Sequence, residues 1–258
     1  MPNTARGAFI SVLRKRFAFG REETVLRFSW GTQSIKWFLD ASAYTGFHKK
    51  LASRIIPLLQ PADTLCDMGC GLGMLDLEIA PYLREITAVD VDEAVVGALS
   101  QIVRDLGLEN VRTRRGDALA LNESFDVLLL SFFGRPGVVD LLKFYRRRFI
   151  RVVSSNNNSG LYPQPYKNYV KDTVPVVCEI LDALKIGYTL ESCSFEFGQP
   201  LKSWQEAELF VLNNAPQASA GEVSAFLKER LTDTGREDFP FYLPNTKEFG
   251  IFVIDKEA

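Results

Sequence analysis

The chain predicts a doubly wound α/β fold: a seven-stranded, mostly parallel sheet with helices on both faces, an N-terminal helical extension, and a helical insertion before the last strand. Three observations predict it. Strand-like and helix-like stretches alternate from residue 64 to residue 188, the order that builds parallel sheets. Residues 125–134, FDVLLLSFFG, are nearly continuous in apolar side chains, as a strand buried on both faces should be. Residues 65–80, LCDMGCGLGMLDLEIA, pass from an apolar run through a glycine turn into the apolar face of a helix.

Bulk composition bounds the function. The 258 residues suit one α/β domain with additions. We expect a helical cover over residues 1–60 and the α/β domain over 61–258, with the insertion at about 203–232. Hydrophobic residues make up 47% and charged residues 24% of the chain, and the formal net charge is −2. The protein as a whole is therefore no electrostatic binder of nucleic acid. Cys66, Cys70, Cys178 and Cys193 form no C-x-x-C pair and read as free thiols of a reducing cytoplasm. No apolar stretch reaches the length of a membrane span and no signal peptide is evident, so a cytoplasmic protein is expected. No metal site is expected.

Residues 1–21 interleave Arg6, Arg14, Lys15, Arg16 and Arg21 with Phe9, Ile10, Val12, Leu13, Phe17 and Phe19. This suits either a basic amphipathic helix meeting RNA, a membrane surface or a partner subunit, or a helix packed on the domain with its charges in water. Helical spacing continues to Gln60, with aromatics at Phe28, Trp30, Trp37, Phe38, Tyr44 and Phe47. They suit a core stripe or a cover over a cleft. His48 is the single histidine of the chain. Its residue type fits proton transfer at neutral pH, and equally a capping or surface role.

The glycine turn is the centre of the functional reading. Gly69, Gly71 and Gly73 permit positive φ and let a ligand approach the backbone with no Cβ in the way. The following helix points its unsatisfied N–H groups at the same place. A dinucleotide fingerprint wants its third glycine three positions after the second. Here it comes after two, Met74 stands where the fingerprint wants glycine, and Asp67 precedes the turn. A carboxylate there disfavours a pyrophosphate and favours a cation. A nicotinamide dehydrogenase is thus disfavoured.

The D-x-G-C-G-x-G run resembles motif I of the class I S-adenosylmethionine-dependent methyltransferases. The resemblance implies S-adenosyl-L-methionine as cofactor, S-adenosyl-L-homocysteine as product, and a transferase of the methylation class with a Rossmann-like fold. It implies that Asp67, Gly69, Cys70, Gly71 and Gly73 surround the methionine end. Asp90, about 20 residues past the glycines, matches the ribose-binding acid of the family, with Val91 beside it. Asp92 serves as the N-cap of the next helix. Asp117 and Ala118, at the end of the third strand, match the adenine contacts. Ser131, which closes the fourth strand, falls where the family faces the methyl group.

The acceptor is less legible. The Asn/Asp-Pro-Pro-Tyr, Pro-Cys and paired-glutamate patterns of the amide, cytosine-5 and arginine methyltransferases are all missing. Phe132 and Phe133 suit an apolar wall or simple packing. The loop NNNSGLYPQPYKNY supplies Asn156, Asn157, Tyr162 and Tyr166 as candidate acceptor contacts. His48, Tyr162 and Tyr166 are the candidates for a base. The resulting expectation is methyl transfer to a small or apolar acceptor. An RNA or protein acceptor served by the basic N-terminal arm, or cofactor binding without catalysis, are the alternatives.

Overall fold

The computed structural model describes residues 30–134, 137–157, 159–164, 166 and 172–256. The basic segment expected at residues 1–21 lies outside them. Two helices, α1 (Thr32–Thr45) and α2 (Phe47–Ile55), lead into the sheet and are separated by Gly46, whose φ of 63° turns the chain between them.

The main sheet is built from β1 (Thr64–Met68), β2 (Glu85–Asp90), β3 (Val111–Arg115), β4 (Phe125–Ser131), β5 (Tyr145–Ser154), β6 (Thr189–Glu196) and β10 (Thr246–Asp255). Their order is β3-β2-β1-β4-β5-β10-β6, and β10 alone runs antiparallel to its neighbours β5 and β6. This is the expected seven-stranded, mostly parallel sheet. The edge strands β3 and β6 carry the polar sequences VRTRR and TLESCSFE, whereas the central β1 and β4 are almost wholly buried. Charge on the rims and apolar runs within is how an open sheet limits pairing at its edges.

Helices cover both faces. On one, α2, α3 (Met74–Ile79) and α4 (Glu93–Asp105) pack over a core that includes Leu65, Ile86, Val127, Ile150 and Phe249. On the other, α5 (Val138–Leu141) and α6 (Val174–Leu184) pack over Cys66, Leu128, Phe149 and Phe252. Alternate residues of each strand thus serve opposite faces. Asp92 caps α4, accepting from the Ala94 and Val95 amides at 2.8 and 3.4 Å.

Between β6 and β10 lie α7 (Trp204–Asn214) and α8 (Ala220–Arg230), flanked by short strands β7 (Gln199–Leu201), β8 (Thr232–Asp233) and β9 (Phe241–Leu243) in a second, three-stranded antiparallel sheet. The small sheet was not expected, because two- and three-residue strands carry no periodicity. It gathers a third core of Leu201, Phe210, Val211, Val223, Leu227 and Leu243, and Trp37 of α1 is part of it. Trp37 donates its indole N–H to Glu206 at 3.1 Å, and Gln199 donates to the Trp37 carbonyl at 3.1 Å. The N-terminal helix and the segment before the last strand therefore pack as one unit. No helix of the described residues is long and apolar enough to cross a membrane.

Candidate cofactor and acceptor site

The strand order reverses between β1 and β4, so their carboxyl ends diverge and leave a crevice, the place where open α/β sheets bind ligands. A cavity of about 1040 Å³ opens there. Its wall includes every residue the sequence assigned to the cofactor: Asp67, Gly69, Cys70, Gly71, Gly73, Asp90, Val91, Asp117, Ala118 and Ser131.

The glycines have separate duties. All three hold positive φ, at 76°, 54° and 61°. A Cβ on Gly69 would stand 1.9 Å from Cδ2 of Phe133, and one on Gly73 would stand 2.5 Å from Cδ2 of Leu99, while one on Gly71 would meet nothing. All three line the cavity, and what surrounds their Cβ positions differs. Gly69 seats the Phe133 ring, Gly73 seats α4, and Gly71 alone presents bare backbone to open space.

Asp90 ties the turn to β2. One carboxylate oxygen accepts from the Gly71 amide at 3.0 Å and the other from the Asp92 amide at 2.9 Å. Each oxygen retains lone-pair capacity for hydroxyl donors. Asp117 accepts from the Leu119 amide at 2.9 Å and so fixes the turn after β3.

Asp67 is 2% exposed and Asp76, in the first turn of α3, is wholly buried. Burial raises both carboxyls above the usual range, Asp76 to about 7, and the Asp76 charge raises Asp67 further. Burial and these acids likewise push the Cys66 and Cys70 thiols up. Neither is a thiolate nucleophile at neutral pH.

The base candidates separate. His48 lines the cavity, but burial and the nearby charge of Lys247 lower it to about 3. Its Nδ1 is 2.7 Å from the Ser42 hydroxyl, and its ring lies among Phe38, Phe47 and Phe197. Tyr162 and Tyr166 are not among the lining residues. Both pack on the core of α7 and α8, and the Tyr166 hydroxyl donates to Glu222 at 2.6 Å. The irregular loop carries them to the outer core rather than the crevice; of that loop, Leu161 reaches the cavity wall, and Asn156 and Asn157 do not.

Residues that sequence reasoning missed complete the wall. Gln199, Phe210, Asn213 and Asn214 reach it from the segment before the last strand, and Lys247 from the start of β10. Phe132 holds φ at 54°, and its amide donates to the Val152 carbonyl at 2.9 Å. Positive φ on a bulky residue costs roughly 1–2 kcal/mol and is found where surrounding structure imposes it. No local sequence signal marks Gln199, Phe210, Asn213, Asn214 or Lys247 as cavity residues, or the positive φ of Phe132.

A family model described as a methyltransferase domain matches residues 59–231. The chain belongs to the methyltransferase domain family. Among curated relatives of this methyltransferase domain, a probable cobalt-precorrin-6B C(15)-methyltransferase (decarboxylating) of Methanococcus maripaludis strain C5 is 28% identical over 98 residues, which are 38% of this chain and 54% of that protein. The chain spans about half the length of the curated relatives it matches first. Among solved structures, YcgJ of Bacillus subtilis has a TM-score of 0.52 at 16% identity, over 82% of this chain and all of that one. Magnesium protoporphyrin IX methyltransferase of Synechocystis PCC 6803, solved with bound S-adenosylhomocysteine, has a TM-score of 0.51 at 11% identity, over 96% of this chain and 99% of that one. The resemblance drawn from the glycine turn, Asp90 and Asp117 therefore holds for family and fold.

Proposed function

We propose that this methyltransferase domain is an S-adenosylmethionine-dependent enzyme that transfers the methyl group to a small organic acceptor. The observation that carries the reading is the convergence of Asp67, Gly71, Asp90 and Asp117 on one cavity at the reversal of strand order. The residues present suit the cofactor. Asp67 Oδ1 is buried without a hydrogen-bond partner, and acids dominate this end of the wall, which matches a ligand bearing ammonium and sulfonium charges. Gly71 offers bare backbone, Asp90 offers acceptors for vicinal hydroxyls, and Asp117 with Ala118 offers a polar edge for a base.

When bound, the sulfonium supplies an electrophilic methyl carbon. The chain's own work is then to bind, to align the acceptor and to exclude water. Asp67, whose buried Oδ1 has no partner, would accept from the ammonium end, and the aromatic walls beyond Ser131 would order the acceptor. A base is required only for an acceptor that loses a proton on attack.

A thermal-shift titration with S-adenosylmethionine, S-adenosylhomocysteine and NAD, repeated on Asp90→Ala, tests the reading. Ligand at about 100 times its dissociation constant adds roughly 2.7 kcal/mol, which raises the midpoint by about 5–10 °C in a chain of this size. Both sulfur nucleosides give that rise, NAD does not, and Asp90→Ala abolishes it. No rise with either nucleoside refutes the assignment.

A further inference from the structure

We infer that the aromatic end of the cavity takes a flat substrate whose polar edge carries one hydrogen-bond donor and one hydrogen-bond acceptor. Gln199 Oε1 accepts from the donor, and the Nε2–H of His48 donates to the acceptor. The inference rests on the methyltransferase reading and names the substrate class of that same site.

Bonds within the protein set the polarity of both groups. Gln199 is 3% exposed and lines the cavity. Its Nε2 donates to the Trp37 carbonyl and to the Pro200 carbonyl, each at 3.1 Å. A side-chain amide has two N–H donors and one carbonyl oxygen, so both hydrogens are spent. Turning the amide around would set its oxygen against two carbonyls. Oε1 has no partner among the described residues and can only accept.

His48 follows the same logic. Its Nδ1 lies 2.7 Å from Ser42 Oγ, and the buried Ser42 hydroxyl has no other partner among the described residues. A hydroxyl that received Nδ1–H would leave its own buried hydrogen unpaired, so Ser42 donates. Burial and the Lys247 charge keep the ring neutral, and a neutral imidazole has one N–H. That hydrogen is on Nε2, which has no partner among the described residues.

The two groups share one wall. Gln199 holds the carbonyl of Trp37, and the ring of the next residue, Phe38, lies 5.3 Å from the His48 ring. Phe197, two residues before Gln199, lies 5.7 Å from the same ring. Phe47 joins this wall to Phe132, at 6.1 Å, and Phe132 follows Ser131 at the end of β4. The rings set the shape: Phe47 and Phe197 are 4.6 Å apart and tilted, and Phe38 meets Phe197 edge-on at 5.6 Å. Such walls pack flat rings by stacking and edge contacts. A hydrocarbon filling this space would displace water from Gln199 Oε1 and from His48 Nε2–H and return no bond to either, which is costly.

The test titrates three probes by calorimetry into the protein saturated with S-adenosylhomocysteine: 2-quinolone, which has adjacent N–H and carbonyl groups, 1-methyl-2-quinolone, which only accepts, and indole, which only donates. The expected result is 2-quinolone binding about tenfold or more tighter than either other probe. His48→Phe weakens both quinolones about tenfold and leaves indole unchanged, whereas Gln199→Met weakens 2-quinolone and indole and leaves 1-methyl-2-quinolone unchanged. The ¹⁵N signals of the single histidine show the proton on Nε2. A 2-quinolone affinity no higher than that of the other probes, binding of no probe, equal weakening of all three by either variant, or a proton on Nδ1 overturns the inference and leaves the cofactor assignment standing. Failure of S-adenosylhomocysteine to bind the wild type overturns the methyltransferase reading and this inference with it. If Gln199→Met, which also releases the Trp37 carbonyl, does not bind S-adenosylhomocysteine, the wild-type series, His48→Phe and the ¹⁵N signals decide.

Discussion

The carboxyl groups of Asp67 and Asp76 are buried as neighbours beneath the glycine turn, and each alters the proton affinity of the other. Both are buried, Asp67 Oδ1 and the two Asp76 oxygens have no hydrogen-bond partner, and burial raises the proton affinity of each. Burial disfavours the charged form of each carboxyl. The pair thus binds protons more tightly than ordinary carboxyls do, where a cationic ligand is expected to bind.

Asp76→Asn tests that arrangement through stability. The folded-state value of Asp76 is raised to about 7, against about 3.9 for an unfolded aspartate. The native state binds the extra proton between those values, so stability falls as pH rises from about 4 to about 7 and the loss is complete above it. The span corresponds to about 4 kcal/mol at most. Asp76→Asn removes this loss. Its unfolding midpoint exceeds that of the wild type by several °C at pH 8, and the advantage shrinks toward pH 4; equal midpoints at pH 8 refute the raised proton affinity of Asp76.

His48 carries the opposite slope. Its folded value is lowered to about 3, against about 6.5 unfolded, so the unfolded state binds the extra proton between them. Its contribution is complete above about 6.5 and is lost as pH falls toward 3. Because the chain has one histidine, its ring signals in NMR are unambiguous. They do not titrate between pH 5 and 8. His48→Gln retains at least about a tenth of the turnover, since general-base catalysis is worth about 10²–10⁴; a larger loss, or a titration near 6.5, restores His48 as a base.

Gly69→Ala and Gly71→Ala fail differently. Gly69→Ala drives its Cβ into the Phe133 ring, while Gly71→Ala meets no atom and bears only the strain of positive φ, roughly 1–2 kcal/mol. Denaturation therefore shows the greater destabilisation in Gly69→Ala, partly relieved by adding Phe133→Ala. Titration with S-adenosylhomocysteine shows Gly71→Ala weakened about tenfold or more, because its methyl occupies the bare backbone; equal stability of the two variants contradicts the division of roles.

Arg151 and Asp172 form a buried ion pair at 2.5 Å, 2% and 6% exposed, joining β5 to the residue before the α6 cap. Arg151→Met removes the guanidinium from a buried carboxylate and destabilises by about 3–5 kcal/mol in urea. Arg151→Met with Asp172→Leu is milder than the single change. A double variant as unstable as the single one shows that the pair is not the source of the cost.

The sequence by itself determined the sheet, the glycine turn and the acidic end of the cavity. These are local matters: an apolar run makes β4, glycine spacing makes the turn, and Asp90 and Asp117 stand at strand ends because strand length puts them there. The family assignment followed from the same residues. The tertiary structure decided the aromatic end. Lys247, Phe210, Asn213 and Gln199 meet Phe132 and His48 only because the chain before β10 folds onto α1 through Trp37. That contact joins residues more than 160 positions apart, and no periodicity reports on it. The same burial that brought His48 into the cavity wall holds it neutral, and packing against α8 kept Tyr162 and Tyr166 out. Spacing along the chain fixes which backbone groups a turn presents, whereas the polarity of a pocket depends on which distant side chains exclude water from it.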